Sequence, residues 1–151
     1  MTDRTDPTMS KPSWWFANKL IPVLRRYDAS RFDEDLARLA ASDMNHFADR
    51  VFKFCKQRAP AHLGGRTVEA AIIDIANSNK ALGLIRLVCN AQKHHLIKRK
   101  SMYWAASDMM VSQARDVWIL DETGRPTWSV GAVLMEAEQF WCQWLQSHPG
   151  T

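Results

Sequence analysis

The sequence lacks the motifs that mark the best-known nucleotide, zinc and dinucleotide enzymes. It contains no P-loop, no dinucleotide-binding fingerprint and no HExxH segment. Its three cysteines lie far apart and form no CxxC pair, which is typical of a reduced, intracellular protein rather than a disulfide framework or a zinc site. We therefore predict no cofactor and no metal site.

Long apolar segments are also missing. The chain has no run of about 18 apolar residues, and no signal-peptide core follows its polar N-terminus. We therefore expect a cytoplasmic protein without a membrane span. The 151 residues suit one domain. We predict a disordered tail over residues 1–12 and a single helical-bundle domain over residues 13–148.

Acidic residues are absent from residues 75–107. This segment carries six cations, which are Lys80, Arg86, Lys93, Lys98, Arg99 and Lys100. A local basic patch on a nearly neutral body is the charge distribution expected of a contact with phosphates. The same distribution also occurs on proteins that bind no anion.

Apolar residues recur at helical spacing through most of the chain. We predict a helix broken at Pro22 over residues 13–27, a long helix capped by Ser30, a shorter one capped by Thr67, and a last one capped by Ser129. Residues 111–120 and 127–130 are predicted to form a hairpin. The expected fold is mainly α, an antiparallel four-helix bundle with a short β-hairpin before the last helix.

Residues 81–100 combine an apolar stripe with polar and basic residues, and we predict one helix there. At about 100° per residue, Arg86, Asn90 and Lys93 share one face, and His94 lies at its border with the apolar face. Such a histidine is suited to a functional role. Asp43 falls within the apolar stripe of the first long helix, where a carboxylate needs a partner.

The segment Asn90-Ala91-Gln92-Lys93-His94 resembles the N-A-x-K-H segment of a bacterial branch of the HEPN superfamily. Residues 43–51, and a hairpin leading into a Trp-rich helix, are similar to that branch as well. The resemblance implies a four-helix bundle that dimerises and cuts RNA without a metal, using an Arg and a His separated by four to six residues. Cys89 stands where that Arg would be, and Arg86 is separated from His94 by seven residues.

Asn90 and His94 are site residues that the resemblance implies, while the other candidates come from the charge distribution and the helical faces described above. The catalytic candidates are His94 and Asn90, the binding candidates are Arg86, Lys93, Lys98, Arg99 and Lys100, and Asp43 is a supporting residue. A histidine can serve as base or acid, whereas the phosphate is best held by a guanidinium. The implied function is RNA or nucleotide-phosphate binding, by a degenerate metal-independent endoribonuclease. The implied partners are RNA and a second copy or an antitoxin-like protein.

Two alternatives stay open. In one, the chain is a non-enzymatic dimerisation or interaction module, and Asn90 and His94 form an interior polar network, with Asp43 as a partner. In the other, the histidines belong to a metal-dependent hydrolase. A nucleophilic Cys89 is disfavoured, because no glycine-rich elbow surrounds it.

Overall fold

The computed structural model describes residues 10–94, 96–99, 102–105, 110–113, 116–121, 123 and 125–151, with side chains outside residues 91–115. Its helices are α1 (Pro12–Trp15), α2 (Ile21–Asp28), α3 (Glu34–Arg58), α4 (Val68–Ser78), α5 (Lys80–His94) and α6 (Val130–Ser147). Its strands are β1 (Leu96–Arg99), β2 (Met102–Ala105), β3 (Met110–Gln113), β4 (Asp116–Leu120) and β5 (Pro126–Ser129). The predicted mainly helical fold with a hairpin before the last helix is confirmed. Within the described ranges, no helix has both the length and the apolar character needed to cross a bilayer.

Helix α3 begins at Glu34 because Asp33 caps it. The Asp33 carboxylate accepts hydrogen bonds from the backbone N–H groups of Asp35 and Leu36, at 3.0 and 3.1 Å. The predicted cap at Ser30 is wrong, since Ser30 lies in the preceding turn and accepts from the Asp33 N–H. Phe32 consequently lies before the helix rather than in its stripe, and it is 65% exposed.

The core is built along α3, which packs against α2, α4, α5 and α6. Trp141 of α6 is fully buried there, with its ring centroid 5.1 Å from those of Phe47 and Phe140. The predicted apolar stripe of α6 is confirmed. Its buried members are Val130, Val133, Leu134, Ala137 and Trp141. Burial of these faces stabilises the helices more than their intrinsic propensity does.

A buried carboxylate joins α2, the sheet and α6. Asp116 accepts hydrogen bonds from the hydroxyl groups of Tyr27 and Ser129, at 2.5 and 2.6 Å. Ser129 also caps α6, as predicted, by accepting from the Ala132 N–H. Burial and the neighbouring carboxylate raise the pKa of Tyr27, so its hydroxyl stays protonated. The network thereby fixes the start of α6 against α2.

The N-terminal segment is a broken helix, as predicted. One π-helical turn (Phe16–Leu20) joins α1 to α2, directly before Pro22 in the first turn of α2. A proline has no N–H group and therefore disrupts regular α-helical hydrogen bonding. The irregular π-helical turn lies next to the proline, where the helix is already interrupted. Pro12, the last residue of the predicted tail, is buried and begins α1.

Two predicted boundaries are wrong. The helix predicted over residues 81–100 ends at His94, and β1 pairs with β2 in an antiparallel ladder that sets Ile97 opposite Trp104. The segment predicted as one strand over residues 111–120 is divided, since residues 111–113 belong to β3 and residues 116–120 to β4, and these two strands pair with each other. Antiparallel β4 and β5 form the predicted hairpin. Pairing between neighbouring segments overrides local propensity at these positions.

Helices α4 and α5 approach closely at Gly83. A Cβ atom at this position would lie 2.7 Å from the backbone oxygen of Ala76. Thr67 caps α4, as predicted, by accepting from the Ala70 N–H, and Asn79 accepts from the Leu82 N–H at the start of α5. The glycine therefore sets the distance between α4 and α5.

We predict that Gly83→Ala lowers the free energy of unfolding. In an open helix this change stabilises by about 1 kcal/mol, but here the new methyl group meets backbone, and overpacking costs about 1–3 kcal/mol. Urea unfolding followed by circular dichroism measures the difference. A variant as stable as the unmodified protein, or more stable, would contradict the close approach.

Candidate functional site

A polar strip on α3 faces α5 across an open groove. Ser42, Asn45, His46 and Asp49 follow the i, i+3, i+4, i+7 spacing that places side chains on one side of a helix. The groove encloses about 490 Å³. Its lining residues are Ser42, Asn45, His46, Asp49, Ile72, Arg86, Cys89 and Asn90, and we name it the α3–α5 groove.

Two of the predicted site residues meet in this groove. Arg86 and Asn90 lie one turn apart on α5 and both line it, and Asn90 is exposed. The helical face predicted for them is therefore confirmed, while their roles stay predictions. The remaining candidates on this segment, Lys93, His94, Lys98, Arg99 and Lys100, have side chains outside the described residues. Helix α5 extends as far as His94.

Asp43, the predicted supporting residue, lines a neighbouring hollow and not the α3–α5 groove. This hollow encloses about 320 Å³. Its lining residues are Trp15, Lys19, Leu20, Val23, Asp43, His46, Phe47 and Arg50, and we name it the Trp15 hollow. Burial raises the pKa of Asp43, and nearby His46 opposes that shift. Among the described side chains, His46 alone lines both the groove and the hollow.

The charged side chains of the α3–α5 groove differ in whether an ion pair already neutralises them. The Asp49 carboxylate is paired with Lys53 at 2.8 Å. Arg86 has no ion pair with any side chain that the structure describes. An unpaired guanidinium beside neutral amides and a histidine is suited to receive an anion.

Cys89 is a partly buried thiol in the lining of this groove. Burial raises its pKa to about 12, so its reactive thiolate form is scarce near neutral pH. None of the three cysteines is in a disulfide. Among the described residues, no three His, Cys, Asp or Glu side chains gather closely enough to hold a metal ion.

Sequence reasoning did not assign the α3 side of the groove. Asp43 is recognisable in the sequence because it falls in an apolar stripe, whereas nothing in the sequence places His46 relative to α5. The spacing of Ser42, Asn45, His46 and Asp49 is the signal that could have found this strip. The spacing indicates that one side of α3 is polar. Which residues lie opposite that side is known only from the packing of α3 against α5.

Comparisons with protein-family models, with curated proteins and with solved structures find no match to this chain. The resemblance to HEPN proteins therefore rests on the residues quoted above, and it stays a prediction.

We predict that Cys89 resists alkylation in the folded protein. At pH 9 an ordinary thiol is half ionised, whereas a pKa of about 12 leaves roughly one Cys89 in a thousand as thiolate. Iodoacetamide labelling followed by mass spectrometry should show Cys89 reacting at least about 100-fold more slowly in buffer than in urea. Equal rates in buffer and in urea would contradict the burial.

Proposed function

We propose that the chain is an HEPN-like four-helix bundle that binds RNA, or a nucleotide, through a phosphate group in the α3–α5 groove. The observation that carries this proposal is that Arg86 and Asn90 of α5 line the same open groove as His46 of α3. These residue types are the ones that hold and protonate phosphates in proteins.

Arg86 is the proposed phosphate ligand. Its planar guanidinium can donate two parallel hydrogen bonds to phosphate oxygens, and it forms no ion pair with a described carboxylate. The amides of Asn45 and Asn90 can donate further bonds to the same anion. Pairing of Asp49 with Lys53 offsets the repulsion that its carboxylate would exert.

We further propose that the groove supports metal-independent cleavage of RNA. One histidine removes the proton of a ribose 2′-hydroxyl, whose oxygen attacks the adjacent phosphorus. The 5′ oxygen then leaves with a proton from a second acid, and the other product ends in a 2′,3′-cyclic phosphate. We assign His46 and His94 to the two proton transfers and Arg86 to the negative charge on phosphorus.

The interaction-module alternative has less support. It requires Asn90 to belong to an interior network, but Asn90 is exposed on the groove. It also invokes Asp43, which lines the Trp15 hollow instead.

We predict that Arg86→Ala weakens RNA binding at least about tenfold, because a hydrogen bond to a charged group contributes about 1.5–3 kcal/mol. Fluorescence anisotropy with labelled RNA over a salt series measures the affinity at each salt concentration. In the variant, the slope of log affinity against log salt concentration should become shallower by about 1. Arg125→Ala is the matched control, because it removes the same charge from an exposed position outside the groove. Equal losses in the two variants would contradict the proposal.

We predict that His46→Ala and His94→Ala each slow RNA cleavage by about 10²–10⁴-fold, the usual contribution of general acid–base catalysis. The assay uses labelled structured RNA in EDTA, with end-group analysis for the cyclic phosphate. Cleavage that proceeds unchanged in both variants would remove the histidines from the mechanism. Binding without cleavage in the unmodified protein would leave phosphate binding as the function.

A further inference from the structure

The Trp15 hollow lies directly beside the proposed phosphate site and belongs to the same helix. Asp43, His46, Phe47 and Arg50 repeat the i, i+3, i+4, i+7 spacing of the polar strip, displaced by one residue. The two rows share His46, which lines both spaces. A ligand in the hollow therefore adjoins a ligand in the groove.

The hollow combines aromatic walls with cations. The guanidinium of Arg50 lies 3.5 Å from the ring centroid of Trp15, and the Lys19 ammonium lies 5.8 and 5.9 Å from those of Trp14 and Trp15. Neither cation has an ion pair with a described side chain. Aromatic and guanidinium planes beside cations that have no carboxylate partner are the features that hold unpaired bases and their phosphates.

Asp43 supplies the one carboxylate among the described residues that line this hollow. It makes no ion pair with a described residue, and desolvation by its surroundings disfavours its charged form. A partly desolvated carboxylate is stabilised by a ligand that offers N–H donors. A base that places hydrogen-bond acceptors against the Asp43 carboxylate would be repelled by it.

We propose that the Trp15 hollow binds an unpaired guanine base of the RNA strand whose phosphate occupies the α3–α5 groove. This inference rests on the proposed function. Guanine presents a ring N–H and an exocyclic amino group side by side, which match the two oxygens of Asp43. Uracil presents one N–H between two acceptors, and adenine and cytosine place an acceptor beside their amino group. The volume of about 320 Å³ falls within the range of about 300–1,000 Å³ that small-ligand sites occupy.

The test compares labelled single-stranded octamers by fluorescence anisotropy. One strand contains only uridine, and the others carry a single guanosine, adenosine or cytidine in the same background. We expect the guanosine strand to bind roughly 5- to 100-fold more tightly than the uridine strand, the discrimination that a bidentate base contact provides. A duplex of the guanosine strand should lose this advantage, because its base edge is already paired.

Asp43→Asn is the decisive variant. An amide offers one donor and one acceptor, so the ratio of guanosine-strand to uridine-strand affinity should fall to within about threefold of 1. Asp49→Asn is the matched control, because it makes the same change on the same helix but in the groove. It should leave the ratio of guanosine-strand to uridine-strand affinity unchanged, even if both affinities change. Thermal unfolding followed by circular dichroism confirms that both variants are folded.

The outcomes separate the two proposals. Binding of the uridine strand that depends on Arg86, without any preference for guanosine, would overturn the base site and leave the phosphate site standing. A guanosine preference that survives Asp43→Asn would also overturn the base site. Failure of every strand to bind, or binding unaffected by Arg86→Ala, would overturn the proposed function and the base site with it.

Discussion

The enclosure of α3 by other helices is the constraint on which the rest of the structure depends. Helices α1, α2, α4, α5 and α6 all pack against α3, and its residues Ala40, Met44 and Val51 are inaccessible to solvent. The alanines on α3 permit this close packing because they have no side chain beyond Cβ. Polar residues are then confined to the part of the helix that no neighbour covers. The groove and the hollow therefore lie where core packing ends, on a rigid element suited to hold a site.

The arginines of the groove and the hollow differ from the other arginines of the chain in where they lie, and not in charge alone. Several arginines are paired with carboxylates inside the folded chain, namely Arg25, Arg31, Arg38 and Arg66. Arg50 and Arg86 have no such partner among the described residues, but the same is true of exposed Arg26 and Arg125. What separates the first two is that each lines a concave space that also contains His46. A cation in a concave surface is less screened by solvent than one on a convex surface.

The parts of the fold that local chemistry determines were predictable from the sequence, and the parts that pairing determines were not. Thr67 and Ser129 cap their helices because a side-chain oxygen there meets a nearby N–H. The end of α5 at His94 depends on the pairing of β1 with β2, which no periodicity reveals. For the site, helical spacing brought Arg86 and Asn90 together. It could not reveal that His46 lies across from them, because that depends on how two helices pack.

Helices α4 and α5 are expected to move as one body. The methylene of Gly83 rests on the backbone of α4, and nothing can separate the two helices there without opening a void. Ile72 of α4 and Arg86 of α5, which both line the groove, are therefore held at a fixed distance from each other. The connection from α3 to α4 turns at Gly64 and Gly65, which have φ angles of 59° and 80°. Residues with a Cβ atom are strained in this left-handed conformation, so both glycines help to set the direction in which α4 starts.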